Sequence, residues 1–277
     1  MAQTINTNLN SINAQRNVAG SSMAMNVAMQ RLSSGLRVNG AKDDAAGLAI
    51  SERMNAQVRG MGVAIRNAND ATSLAQTAEG GTGKIGDALQ RMRELAVQSA
   101  NGSNNAGDRD NMQTEFAELQ AEVSRLVSGT KFNGQALLDG SVASFTFQVG
   151  ASTSAQDTIT VTSSDLSTTN TAVAALDISG ATAAGATAAI NALDTAIDDV
   201  TTARASFGAT QNRFESVIAN LQVASENLTA ARSRIVDADF AVETAAMSRA
   251  SILQQAGTAM VAQANQQPQQ VLQLLRN

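Results

Sequence analysis

Residues 190–235, INALDTAIDDVTTARASFGATQNRFESVIANLQVASENLTAARSRI, decide the fold. A 3-4 spacing runs through Ile190, Leu193, Ile197, Val200, Arg204, Phe207, Gln211, Phe214, Ile218, Leu221, Ser225, Leu228, Arg232 and Ile235, and ten of these fourteen are apolar. Apolar residues recurring every 3.5 positions share one stripe of a helix. More than six heptads without a break imply a helical rod of roughly 70 Å at 1.5 Å per residue. The four polar seam positions, Arg204, Gln211, Ser225 and Arg232, are expected to set register within a coiled coil, as a polar a-position residue does, with intersubunit contact as the alternative.

Shorter runs upstream repeat the pattern. Met54, Val58, Met61, Ile65, Ala68 and Ala75 form one stripe, Ile85, Leu89, Met92 and Ala96 a second, and Met112, Phe116, Leu119, Val123 and Leu126 a third. Between the last two, 101–107 (NGSNNAG) is turn-forming, and Asp108 or Asp110 is the expected cap of the next helix. The middle of the chain differs. Residues 132–203 hold no Lys or Arg but seven Asp, and 15 of the 33 residues in 141–173 are Ser or Thr. Phe145, Phe147 and Val149 alternate, as do Ile159 and Val161, which predicts a small β-hairpin.

The two ends are apolar in their seams yet almost uncharged. Residues 1–36 carry only Arg16 and Arg31, and residues 244–277 only Arg249 and Arg276. The C-terminal seam is predicted as Ala246, Ala250, Leu253, Gly257, Met260, Ala264, Gln267, Val271 and Leu274. The N-terminal seam is predicted as Ile5, Leu9 and Ile12, then Val18, Met25, Met29, Leu32 and Leu36. An ordinary solvated helix face is charged. A polar, uncharged face suits burial against copies of itself. Pro268, the only proline, is expected to bend the helix or restart it. Beyond it, Val271, Leu272, Leu274 and Leu275 are expected to pair with Ile5, Leu9 and Ile12 as an inner assembly contact. Such Ala- and Gln-rich ends bury little area as an isolated pair, so they are expected to be mobile in a monomer and ordered in a polymer.

The composition excludes whole classes of function. With no His and no Cys there is no Ser-His-Asp triad, no Cys nucleophile, no zinc finger and no disulfide scaffold. A net charge of −5 argues against nucleic acid. No apolar stretch approaches a membrane span, so no membrane insertion is expected. The first residues lack the basic and apolar segments of an ordinary signal peptide.

Two motifs have bland explanations. Gly81-Thr82-Gly83-Lys84-Ile85-Gly86 matches the dinucleotide fingerprint, but it lies between helical patterns instead of after a strand. A flexible or bent point in a long helix is the better reading. The acid pairs Asp43/Asp44, Asp108/Asp110, Asp198/Asp199 and Asp237/Asp239 have no supporting ligand cluster, which makes them caps or solvated faces. No cofactor, metal or catalytic residue is assigned.

Three blocks then carry a resemblance. Leu32–Gly47 (LSSGLRVNGAKDDAAG), Gln90–Gly102, and the C-terminal Ser233–Phe240 (SRIVDADF) with Gln254–Asn277 are similar to the terminal signatures of bacterial flagellins. The likeness covers about residues 1–140 and 188–277. It implies a mainly α protein: a long-helix coiled-coil bundle with antiparallel N- and C-terminal halves and a small central β-hairpin region. Residues 1–45 and 236–277 would form an inner terminal coiled-coil domain. Residues 46–138 and 188–235 would form a helical middle domain, and 139–187 a short β/loop outer region, without the large outer domains of longer relatives. The implied function is a secreted structural subunit that polymerises with itself into the extracellular flagellar filament. The implied partners are an export chaperone of the flagellar type III apparatus, the cap protein and the hook-junction proteins. In hosts they are Toll-like receptor 5, through Gln90, Arg91, Leu95 and Glu115, and an inflammasome sensor, through the terminal leucines. For the receptor contact, Arg91 and Leu95 should lie exposed, opposite Leu89, Met92 and Ala96. The alternatives are a hook-filament junction protein or another helical secreted filament component, while an enzyme would need a site that the sequence does not offer.

Overall fold

A computed structural model describes residues 7–274, with side chains to residue 266. Six helices carry the fold: α1 (Leu9–Ser34), α2 (Ala45–Ser99), α3 (Ala106–Gly129), α4 (Ser167–Ala174), α5 (Ala184–Val236) and α6 (Phe240–Leu274). Two antiparallel hairpins accompany them. β1 (Lys131–Phe132) pairs with β2 (Gln135–Ala136), and β3 (Ser144–Gln148) pairs with β4 (Thr158–Thr162). The fold is mainly α, as expected. The chain forms two compact units, one of residues 57–226 and one of residues 1–56 with 227–277.

The larger unit is built on α5. Its 53 residues form one helix, and its buried stripe includes Leu193, Val200, Phe207 and Phe214. Arg204 departs from the predicted seam: it is exposed, and Ala203 fills that turn. Gln211 stays in the seam and donates from Nε2 to Glu79 Oε2 at 2.9 Å. One core cluster joins this stripe to Ile85, Leu89 and Met92 of α2 and to Phe116 and Val123 of α3. A second gathers Ala68 and Ala71 of α2, Phe214 of α5, and Val149, Ile159 and Val161 of the β3–β4 hairpin. Phe147 meets Phe214 edge-to-face at 5.8 Å, the geometry that aromatic quadrupoles favour. The predicted hairpin is present in the register Phe145↔Val161 and Phe147↔Ile159, so its alternating apolar residues fall on one face.

α2 runs unbroken for 55 residues through the glycine motif. Gly81 is there for proximity: a Cβ at this position would come within 2.6 Å of Thr130 Oγ1, just past the C-terminus of α3. Gly83 has open space around it. The cap of α3 is Asn105, not an aspartate. Its side chain accepts from the Asp108 N–H, while Asp108 accepts from the Asn105 N–H, a reciprocal capping box.

Two elements had gone unread. Asn133 (φ 49°) and Gly134 (φ 80°) make the two-residue turn of β1–β2, the left-handed pair that an Asn-Gly turn supplies. The segment containing α4 then buries Leu166, Val173 and Ile178 in the main core. It is held by polar straps: Gln120 donates to the carbonyls of Val173 and Leu176, Ser99 to Ile178, and buried Arg109 to Gly180, Ser99 and Asn101.

In the smaller unit α1 and α6 pack antiparallel, joined at one end by a bridge between Leu36 and Asp237. There the Ala238 N–H donates to Gly35 O and Arg37 donates to the carbonyl of Ile235. Gly35 adopts φ 71° to end α1, a left-handed cap that Gly takes without strain. α6 is one helix past Pro268, so the expected restart there does not occur.

Candidate functional site

The α1–α6 pair keeps Ala250, Gly257, Ala264, Val18 and Met25 of the predicted seams inside and corrects others. On α6 the stripe turned to α1 is Glu243, Met247, Ala250, Gln254, Gly257, Val261 and Ala264. Leu253 and Met260, expected inside, are more than half exposed. On α1 the inward residues include Ser11, Val18, Met25 and Ala28, while Leu9, Ile12 and Met29 face out. The physical reason is size. A Cβ on Gly257 would lie 2.5 Å from Val18 Cγ2, so around Gly257 the helices approach too closely for Leu253 or Met260 to turn in. The pair therefore departs from an ordinary core, with Ala and Gly at its closest approach and many of its large apolar residues outside. Met23 and Ile252 are each 65% exposed, and Phe240 and Val242 are exposed as well.

Polar contacts fill what the small seam leaves. Arg31 Nη1 lies 2.9 Å from Glu243 Oε1, and Glu243 is buried. Gln254 Nε2 donates to Ser22 Oγ at 3.2 Å, and Ser11 Oγ donates to Asn265 Oδ1 at 2.8 Å. Asn8 donates to the Ala264 carbonyl at 2.7 Å. None of these polar residues was picked out from the sequence, because a lone Ser, Asn or Gln in such a composition carries no periodic signal. Beside this seam the two helices leave a groove of about 1060 Å³, lined by Asn13, Asn17, Ala24, Arg249, Leu253 and Met260 among others. Of the predicted inner contacts, Leu9 and Ile12 are therefore outward. Ile5 and Leu275 lie outside the described residues, and Val271, Leu272 and Leu274 are described only as helical backbone.

The second candidate surface is the block at residues 90–98. Arg91 donates to Glu115 Oε1 and Glu94 Oε2, each at 2.9 Å, and these acceptors push its guanidinium above its ordinary pKa, Glu115 most. Arg93 pairs with Asp194, whose carboxyl is held below the usual range by that hydrogen bond. Gln90, Arg91 and Glu115 are exposed, with Arg91 and Glu115 in contact. Leu95 is not on this surface: it is 2% exposed, inside the core with Leu89, Met92 and Ala96. Three residues after Met92, it lies only about 60° around the helix, within the width of an ordinary apolar face. Val97 takes the exposed apolar position.

The acid pairs serve local structure. Asp43 accepts from the Asn39 and Gly40 amides, Asp44 from Gly47, and Asp239 from Ala241 at the start of α6. In the central segment, serines donating to Asp139, Asp157, Asp165 and Asp177 lower each of these carboxyls. Among the described residues no three acids, His or Cys gather as a metal cluster, and no helix is long and apolar enough to cross a membrane.

Residues 5–143 match the bacterial flagellin N-terminal helical region and residues 190–275 the bacterial flagellin C-terminal helical region. A flagellin of Halalkalibacterium halodurans is 50% identical over 272 residues, covering 98% of this chain and 99% of the relative. A flagellin of Bacillus subtilis is 40% identical over 305 aligned positions, covering 98% and 99%. A putative flagellar hook-associated protein of Vibrio parahaemolyticus shares the fold, with a TM-score of 0.60 at 16% identity over 70% of this chain and 100% of that one. Matched along both helical ends, the chain belongs to the bacterial flagellin family.

Proposed function

We propose that the chain is the structural subunit of an extracellular flagellar filament for swimming motility, acting by self-polymerisation and not by catalysis. The observation that carries this reading is the α1–α6 pair. Its large apolar residues, Met23, Val27, Ile252, Leu253 and Met260, face outward in the single chain, and solvated helices do not keep such a face without a partner. Further copies of the same pair supply one with few like charges to oppose it, since Arg16, Arg31 and Arg249 are the only cations on α1 and α6. In this reading residues 1–45 and 236–277 form the inner layer of the filament, 46–138 and 188–235 the next, and 139–187 the outer surface. Ile5, Leu9, Ile12, Val271, Leu272, Leu274 and Leu275 belong to the inner contact, with Leu9 and Ile12 meeting another copy. Export by the flagellar type III apparatus with its chaperone, and contact with the cap and hook-junction proteins, follow from the same reading. The shared fold with a hook-associated protein gives the second reading, a junction protein that caps a filament without extending it. Electron microscopy of concentrated protein after seeding separates the two. Long filaments are expected, and short caps or no polymer would favour the junction.

An immune-receptor role attaches to the exposed Gln90, Arg91 and Glu115 group, with Val97 beside it. Monomer is expected to stimulate Toll-like receptor 5 and cross-linked filament not to, because this face is covered in the polymer. Equal activity of the two would remove the overlap. The inflammasome contact is assigned to the terminal leucines.

A further inference from the structure

We propose that Asn8 and Pro268 act as a matched pair, through which initiation of α1 is coupled to its docking on α6. α6 continues as a helix through Pro268. In such a helix the carbonyl of residue 264 accepts from the N–H of residue 268, and proline has none. The Ala264 carbonyl thus loses its regular donor at a position where Ala264 itself is buried. Asn8 Nδ2 donates to that carbonyl at 2.7 Å. The same side chain works at its other end: Asn8 Oδ1 accepts from the Ser11 N–H at 3.1 Å as the N-cap of α1. One amide therefore satisfies one orphan donor of α1 and the orphan acceptor of α6. An adjacent contact closes the clasp, Ser11 Oγ to Asn265 Oδ1 at 2.8 Å.

The seam between these helices gives the clasp something to decide. Ala250, Gly257 and Ala264 are small residues spaced by seven, and Val18 packs on Gly257. A seven-residue slip would put Val18 on Ala250 or Ala264, small residues whose single Cβ requires only a slightly wider approach than Gly257. The proline breaks this repeat, because it frees a carbonyl at only one of the three small positions. At the opposite end the pair is fixed by Arg31–Glu243 and the Leu36–Asp237 bridge. Asn8 and Pro268 fix the end that remains.

A disulfide reports the pairing directly, because the chain has no cysteine of its own. A Cβ at residue 257 would lie 3.7 Å from Val18 Cβ, near the 3.8 Å that disulfides prefer. Val18→Cys with Gly257→Cys is placed in the full chain, and its effective concentration is measured by exchange with glutathione in monomer and in polymer. Asn8→Asp keeps the cap acceptor but removes the donor. It should lower the effective concentration about fivefold beside Pro268, and leave it unchanged beside Pro268→Ala, where residue 268 regains its N–H. Asn8→Ala should cost about 25-fold with Pro268 and about fivefold with Ala at that position, since only the cap is then lost. Equal effects of Asn8→Asp in the two backgrounds would overturn the coupling. So would failure of the unsubstituted cysteine pair to close in both states. Sedimentation of the same samples reads polymerisation separately, so a normal polymer with equal effects removes the clasp and leaves the filament reading intact.

Discussion

Leu95 and Gln90, five positions apart on α2, have opposite surroundings: Leu95 is buried in the core and Gln90 is exposed. Leu95→Ala should therefore lower stability by about 2–5 kcal/mol, as for a large core truncation. Gln90→Ala should stay within about 0.5 kcal/mol. Thermal melts of the two variants side by side test this, and an unchanged midpoint for Leu95→Ala would remove it from the core. Asp194 supplies a pH dependence. Hydrogen bonding from Arg93 lowers its folded pKa, so its contribution is complete above the ordinary aspartate value of about 3.9 and is lost as pH falls through the depressed one. Urea midpoints at pH 6 and pH 3 should fall further for the parent chain than for Asp194→Asn. Parallel losses would mean that the Arg93 contact contributes nothing to folding.

At the scale of elements, the long α2 helix carries glycines of two kinds. A Cβ at Gly81 would collide with Thr130, whereas Gly83 has nothing within 4 Å. Replacing a helical Gly by Ala gains up to about 1 kcal/mol in an open position, while overpacking costs about 1–3 kcal/mol. Gly83→Ala should raise the urea midpoint and Gly81→Ala lower it, with Thr130→Ala restoring the latter. Two shifts of the same sign would show that Gly81 is not a close-approach site. The element scale also explains the long polar segment between β2 and α5. Leu166, Val173 and Ile178 are buried, yet each is isolated among Ser, Thr and Ala, so no period announced α4.

For the whole molecule, the outward apolar residues of α1 and α6 matter more than its core. Ile252 is exposed in the single chain, so Ile252→Asp should leave the circular dichroism of the monomer unchanged. In the polymer it would bury an unpaired charge at a cost of several kcal/mol, and sedimentable polymer should fall at least tenfold after seeding. Normal yield from Ile252→Asp would mean that this face of α6 meets solvent in the filament, and the assembly surface would have to be sought elsewhere.

The sequence by itself determined the long helices, the β3–β4 hairpin and the absence of His and Cys chemistry. Periods of 3.5 and 2 over many residues survive any tertiary context, and the terminal blocks pointed to the flagellin family. Which face each terminal helix turns inward was decided only by the tertiary structure. A stripe of apolar residues flanked by Ala and Gln can be taken one residue to either side, a turn of about 100°, and residue size alone then favours Leu253 and Met260. Close approach of Val18 to Gly257, the Arg31–Glu243 pair and the Asn8 contact to Ala264 keep Ala250, Gly257 and Ala264 inside but turn Leu253 and Met260 out, in favour of Glu243, Gln254 and Val261. The same limit applies to Arg204, one step from where periodicity put it, and to Leu95, which the implied receptor contact put outside and which lies one step from Ala96 in the buried stripe. A helix's own pattern gives the existence of a buried face, but the edge of that face is set by the shape and hydrogen-bonding groups of the helix packed against it.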